Sequence, residues 1–268
     1  MTLLSSSGRF IGVGAGKLYA HVREGGVPTL VFLHYWGGSH RTWRLVVEQL
    51  PPELGYSAHD HRGWGESQGA PGPFDLGQLA DDTQTVIDTL GLAEFVLVGH
   101  SMGGKIAQLL AARRPTGLRG LVLVAPAPPA PVGVTPEQQE NLAHAYDDAS
   151  TVGAALDSAL THHPLPSDLR RQVIEDSLRG HPEARAAWPR FGLVADISAQ
   201  VEAIDVPVIV LAGKHDQVDP PEVLADHLVP HIPRAELVEL SDTGHLSPLE
   251  VPGQVAAHLT EFTTYLTH

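Results

Sequence analysis

The chain contains no cysteine. That excludes disulfide bonds and thiolate chemistry, whether catalytic or metal-binding. Basic residues are scarce: 17 Lys and Arg stand against 31 Asp and Glu, a net charge of −14. Such a balance disfavours phosphate backbones and anionic lipid, so neither nucleic acid nor membrane is expected as a partner. No apolar run approaches the roughly 20 residues of a membrane-spanning helix. The opening Met1-Thr-Leu-Leu-Ser-Ser-Ser-Gly8 has no basic start and no long apolar stretch. No signal peptide is therefore expected, and a cytoplasmic location is the expectation. A phosphate loop is missing as well. Gly12-Val-Gly14-Ala-Gly16 does not match Gly-x-Gly-x-x-Gly and reads as a hairpin turn. Among the 16 histidines, His59-Asp60-His61 and His162-His163 bring imidazoles close in sequence. Neither carries a complete ligand set, so no metal and no cofactor is expected.

What the chain does have is a core and an alternating pattern. Its 43% hydrophobic and 18% charged residues suit a packed globular protein of one or two domains. The most informative segment is Gly99-His100-Ser101-Met102-Gly103. It follows the apolar run Glu94–Val98, which reads as a buried strand, and precedes Gly104–Arg113, which has helical apolar spacing. Gly-x-Ser-x-Gly between strand and helix is a nucleophile elbow. The turn is too sharp for bulky flanking side chains, and the helix N-terminus points at developing negative charge.

A serine needs a base, and the base needs an orienting acid. Val206–Ala212 reads as a strand running into the polar loop Gly213–Pro220, which carries Asp216 and Asp219. Ala235–Leu240 reads as a further strand, followed by Ser241-Asp242-Thr-Gly-His245. In an open α/β sheet the ligand site lies outside the carboxyl ends of the strands. Ser101, His245 and a loop aspartate all fall there.

These segments resemble the α/β-hydrolase fold superfamily, and in particular its serine esterase and cofactor-free haloperoxidase-like branch. His34-Tyr-Trp-Gly-Gly-Ser39 resembles the family's His-Gly-x-x loop, with Tyr35 replacing the usual glycine. Asp60-His-Arg-Gly-Trp-Gly-Glu-Ser67 resembles its Asp-x-Arg-Gly-x-Gly-x-Ser turn. The resemblance implies a triad of Ser101, Asp216 and His245, because the family spacing Gly-x-x-Asp selects Asp216 over Asp219 and Asp242. It implies an oxyanion hole built from the backbone N–H groups of Trp36 and Met102. Asp60 and Arg62 then read as groups that brace their loop.

The remaining order alternates strands with helices, which means an α/β fold with a mostly parallel sheet flanked by helices. The expected strands are Arg9–Val13, Lys17–Val22, Thr29–Leu33, Gly55–His59 and Leu118–Val124, with helices over His40–Leu50, Leu76–Leu90 and Val251–Leu266. Between Ala125 and Ser198 the rhythm breaks. Pro126-Ala-Pro-Pro-Ala-Pro131 is a stiff linker, and helices are expected over Pro136–Ala149, Val152–Leu160, Ser167–Leu178 and Pro182–Ala187. The expectation is a core of residues 1–125 and 199–268 with an inserted helical cap, or lid, over 126–198. Trp36, Trp188, Phe191 and Leu246 are the candidate pocket walls.

The chemistry expected is a serine hydrolase acting on a small-molecule carboxylic ester through an acyl-enzyme. The same triad also serves perhydrolases, lactonases and carbon–carbon bond hydrolases. A hydrolase-derived ligand receptor is the alternative of another class. Composition leaves room for a homo-oligomer without specifying one.

Overall fold

The computed structural model describes residues 5–131 and 133–267. Eight strands form one sheet: β1 (Ser6–Val13), β2 (Gly16–Arg23), β3 (Gly26–Leu33), β4 (Leu54–His59), β5 (Phe95–His100), β6 (Leu118–Val124), β7 (Val208–Gly213) and β8 (Ala235–Leu240). Their order is β1-β2-β4-β3-β5-β6-β7-β8. β1 and β2 form an antiparallel hairpin turning at Gly14, and β2 runs antiparallel to β4. Every other pairing is parallel.

Strand periodicity divides the core into two faces. Val31, Leu33, Leu97, Leu121 and Leu123 pack on one side of the sheet. Leu30, Phe32, Val96, Val98, Val122 and Val124 pack on the other. Near-continuous apolar strands are what a parallel sheet covered on both faces requires.

The helices before the insert are α1 (Arg44–Val47), α2 (Leu76–Leu90) and α3 (Met102–Ala112). α2 begins where the Asp75 carboxylate accepts the Gln78 N–H at 3.0 Å and ends at Gly91 in the left-handed region. The helix expected over His40–Leu50 is shorter than its pattern suggests. A 3₁₀ turn over His40–Trp43, capped by Ser39, leads into only four α-helical residues.

Between β6 and β7 lie α4 (Pro136–Ala143), α5 (Ala149–Ala155), α6 (Ser167–Arg179), α7 (Pro182–Ala187) and α8 (Ser198–Val201). Leu156–Leu160 and Trp188–Gly192 extend α5 and α7 as π turns. The helix expected over Pro136–Ala149 ends at Ala143, and the one expected over Val152–Leu160 begins earlier, at Ala149. The Asp148 carboxylate accepts the N–H groups of Ser150 and Thr151 at 2.7 and 2.9 Å, which starts a new helix there. Residues of this insert pack on core loops in one apolar cluster: Tyr146, Val152, Leu156 and Leu160 with Tyr35, Trp64, Leu246 and Leu249. The chain closes with α9 (Pro221–His227), α10 (Ser247–Glu250) and α11 (Pro252–Leu266). Among the described residues no helix is long and apolar enough to cross a membrane.

Candidate active site

Ser101 sits between β5 and α3 with φ 52° and ψ −116°, a strained conformation for a residue with a side chain. Its neighbours explain how the strain is held. A Cβ at Gly99 would collide with the Gly103 carbonyl, and one at Gly103 would lie 2.5 Å from the Leu33 oxygen. Only glycine at both positions lets helix, elbow and β3 approach this closely. The Ser101 N–H donates to the Val124 carbonyl at 3.1 Å, fixing the elbow to the neighbouring strand. The side chain is nearly enclosed, with 7% of the residue exposed.

His245 and Asp216 reach Ser101 from two other strand ends. His245 Nε2 lies 2.9 Å from Ser101 Oγ, and His245 Nδ1 lies 2.8 Å from Asp216 Oδ2. An ionised carboxylate can only accept, so Nδ1 carries the proton and Nε2 is free to accept from the serine hydroxyl. Asp216 Oδ1 also accepts the N–H groups of Val218 and Asp219, at 2.7 and 3.1 Å. Burial pushes the Asp216 carboxyl up, but His245 and these two donors outweigh it and hold it below the usual range. Burial likewise pushes His245 down, yet the adjacent Asp216 charge leaves it above an ordinary histidine. Such a chain can take the proton from a serine hydroxyl and hold it as imidazolium.

The two other loop acids do different things. Asp219 is buried, and its carboxylate accepts no hydrogen bond among the described residues. Burial raises it to about 7, with the Asp216 charge adding and His245 and Lys105 opposing. Asp242 lies at the surface, with Oδ1 2.9 Å from His163 Nε2. Asp60 and Arg62 brace their loop. Asp60 accepts the backbone N–H groups of His40 and Glu66 at 2.6 and 2.7 Å, and Arg62 forms a buried pair with Asp82.

Two supporting residues and one buried lysine carried no signal in the sequence. His100 is the variable position of the elbow motif, and its Nε2–H donates to the His245 carbonyl at 2.8 Å. Glu250 Oε2 accepts the Gly244 N–H at 2.9 Å and the Thr243 hydroxyl at 3.2 Å, steadying the loop that carries His245. Lys105, one helical turn beyond Ser101, is fully buried with Nζ unpartnered, and burial lowers it to about 8. Only the packing of α3 under residues of the insert turns it inward.

The Met102 N–H opens α3, and the Trp36 N–H lies on the loop after β3. Neither has an acceptor among the described residues, so both are free to receive an oxygen. Beside Met102 is a cavity of about 290 Å³ lined mostly by apolar groups, among them Phe74, Leu79, Trp188, Phe191 and Ile197. Trp188 is buried there, whereas Phe191 touches the cavity but remains 64% exposed. Two expected walls lie elsewhere. Leu246 is fully enclosed with Tyr35, Val152 and Leu160, because its loop packs on the helices of the insert. The Trp36 indole lies tilted against Tyr146, ring centroids 4.1 Å apart, and donates to the Arg185 carbonyl at 2.9 Å, tying the insert to the core. A roomier groove of about 680 Å³ between β8 and α11 contains none of these residues.

The model of the alpha/beta hydrolase fold matches residues 28–252. A pimeloyl-[acyl-carrier protein] methyl ester esterase from Nitrosomonas europaea is 30% identical over 247 residues, covering 86% of this chain and 93% of that protein. A 3-oxoadipate enol-lactonase from Acinetobacter baylyi is 26% identical, covering 91% of each chain. Among solved structures, an esterase from Exiguobacterium antarcticum superposes with a TM-score of 0.87 at 24% identity, over 96% of this chain and all of the other.

Proposed function

The chain belongs to the alpha/beta hydrolase fold family and is a hydrolase, and from that premise we propose that it cleaves a small carboxylic ester through an acyl-enzyme. The observation that carries the proposal is the unbroken contact from Asp216 through His245 to Ser101, at 2.8 and 2.9 Å. Its three members stand on three separate loops at the carboxyl ends of β5, β7 and β8.

In the proposed reaction Ser101 Oγ attacks the ester carbonyl while His245 Nε2 removes its proton. Asp216 stabilises the imidazolium and holds its tautomer. The N–H groups of Trp36 and Met102 receive the oxyanion, aided by the N-terminal dipole of α3. Collapse of the tetrahedral species expels the alcohol, which leaves with the proton from His245. Water then attacks the acyl-enzyme, His245 takes its proton, and the acid departs as Ser101 regains its hydrogen. No cofactor is needed.

Residues 126–198 act in this reading as a cap that shapes the acyl pocket. The cavity draws Met102 from the core and Trp188 and Phe191 from the insert, which supports that role. Its volume is near the lower end of small-molecule sites, ~300–1,000 Å³, and favours a short acyl group. The enol-lactonase relative supports a second reading, hydrolysis of a cyclic ester by the same steps.

Steady-state assays over p-nitrophenyl esters of increasing acyl length, with lactones alongside, test both readings. Ser101→Ala is expected to lose about 10⁴-fold or more in kcat, since members of such a unit fail together. An organophosphonate should add one label, on Ser101. Retention of more than a few per cent of activity in Ser101→Ala, or labelling elsewhere, would overturn the proposal.

A further inference from the structure

The paired histidines left unassigned by the hydrolase reading meet an aspartate from another part of the chain. His162 and His163 follow the π turn that ends at Leu160, and Asp242 lies between β8 and α10. His163 Nε2 is 2.9 Å from Asp242 Oδ1, and His162 Nε2 is 3.9 Å from the same oxygen. One donor atom from each of the three residues falls within 4.8 Å of the others. A tetrahedral ion with ligands at roughly 2.0–2.1 Å holds them about 3.4 Å apart. The two measured separations bracket that distance, and the third lies within 4.8 Å.

The surroundings hold these donors in place. Glu250 Oε1 accepts the backbone N–H groups of His162 and His163 at 2.7 and 3.0 Å. The Leu246 N–H donates to the Leu160 carbonyl at 2.9 Å, so both chain segments are anchored to each other. His215 stacks on His162 with ring centroids 3.8 Å apart and planes 11° apart, which limits how the imidazole can turn. The side chains of His163 and Asp242 are more than half exposed, leaving the centre open to an ion and to a water as fourth ligand. An acidic chain raises the local concentration of cations.

We propose that His162, His163 and Asp242 bind one divalent first-row transition ion of the Zn²⁺ type, which bridges the helical insert to the loop carrying His245. Two imidazoles and a carboxylate suit Zn²⁺ rather than Ca²⁺ or Mg²⁺, which take oxygen ligands. The site is separate from the ester chemistry and acts on the junction between insert and core.

The test is titration of Zn²⁺ into the chelator-treated full chain by calorimetry, with Tm measured in parallel. The expected result is one saturable site per chain. At about a hundredfold excess over the dissociation constant, Tm should rise by about 5 °C. His163→Ala and Asp242→Asn should each weaken binding at least tenfold. Both are surface changes, and circular dichroism checks that the variants stay folded. His144→Ala serves as a control, because exposed His144 also faces two carboxylates, Glu140 and Asp147, on the insert. Absence of saturable binding, unchanged affinity in His163→Ala and Asp242→Asn, or loss of binding in His144→Ala would each overturn the site.

Discussion

Asp216 and Asp219 are three residues apart, yet their carboxylates meet opposite surroundings. Asp216 receives His245 and two backbone N–H groups, so its charge is wanted. Asp219 is buried without such donors and is raised to about 7. Asp216→Asn should therefore lower kcat by roughly 10⁴-fold, by leaving His245 in the wrong tautomer. Asp219→Asn should cost less than tenfold. The pH profile follows from the same contacts. His245 must be neutral to accept the serine proton, and the Asp216 charge holds it above the ordinary 6.5. Activity should therefore rise with pH along an acid limb centred above 6.5. Removing the Asp216 charge should move the limb to lower pH. His100, Asp219 and Glu250 also surround His245, so kcat/KM is best measured from pH 5 to 9 for both variants. A larger loss from Asp219→Asn than from Asp216→Asn, or a wild-type limb below 6.5, would refute the assignment.

At the scale of elements, the insert is the part whose role rests most on geometry. Its helices are legible in the sequence, because their apolar spacing and the Pro126–Pro131 linker depend on near neighbours. Their ends are less legible, since capping by Asp148 competes locally with the longer apolar pattern. The pocket contacts are not legible at all. Trp188, Phe191 and Leu246 are large apolar groups in sequence, but Trp188 is buried beside the cavity, Phe191 touches it while mostly exposed, and Leu246 is core under the insert. Trp188→Ala should enlarge the acyl pocket and shift kcat/KM toward longer acyl chains, by about tenfold or more per resolved step. Trp188→Phe should give a smaller shift in the same direction with less loss of stability. Acyl preference that stays flat in both, while Tm alone falls, would assign Trp188 to packing only.

Across the whole molecule, the histidines give stability a pH dependence. Burial holds His34 and His59 near 4, His100 near 3 and His61 well below 6.5. Hydrogen bonds agree with neutral rings. His34 Nδ1–H donates to the Tyr35 carbonyl at 2.7 Å, while its Nε2 accepts the His61 N–H at 3.0 Å. Unfolded, each would titrate near 6.5. The native state then binds fewer protons than the unfolded state below that value. Stability from these groups is therefore full above about pH 6.5 and is lost as pH falls toward 4. Asp219, raised to about 7, opposes this by holding a proton in the native state, whereas the raised His245 acts only above 6.5. Below pH 6.5 the four buried histidines outnumber the raised Asp219, so the net slope has stability falling as pH falls. Tm should change little between pH 7 and 8 and fall as pH drops below 6.5. Calorimetry from pH 8 to 4.5 checks this, and a Tm unchanged between pH 7 and 5 would contradict neutral buried histidines.

The sequence by itself determined the alternation of strands and helices, the elbow at Ser101 and the chain order of serine, acid and histidine. Those features are local: strand and helix periods, glycines at a tight turn, and polar loops after apolar strands. Tertiary structure alone decided which distant groups meet. It brought Asp216 rather than Asp219 to His245, turned Lys105 inward, and set His100 behind the His245 carbonyl. It also carried Asp242 away from the serine to His163, and packed Leu246 with Tyr35, Val152 and Leu160. The physical reason is that burial and hydrogen bonding depend on neighbours remote in the chain. Identical aspartates or leucines then take different roles according to what the fold packs against them.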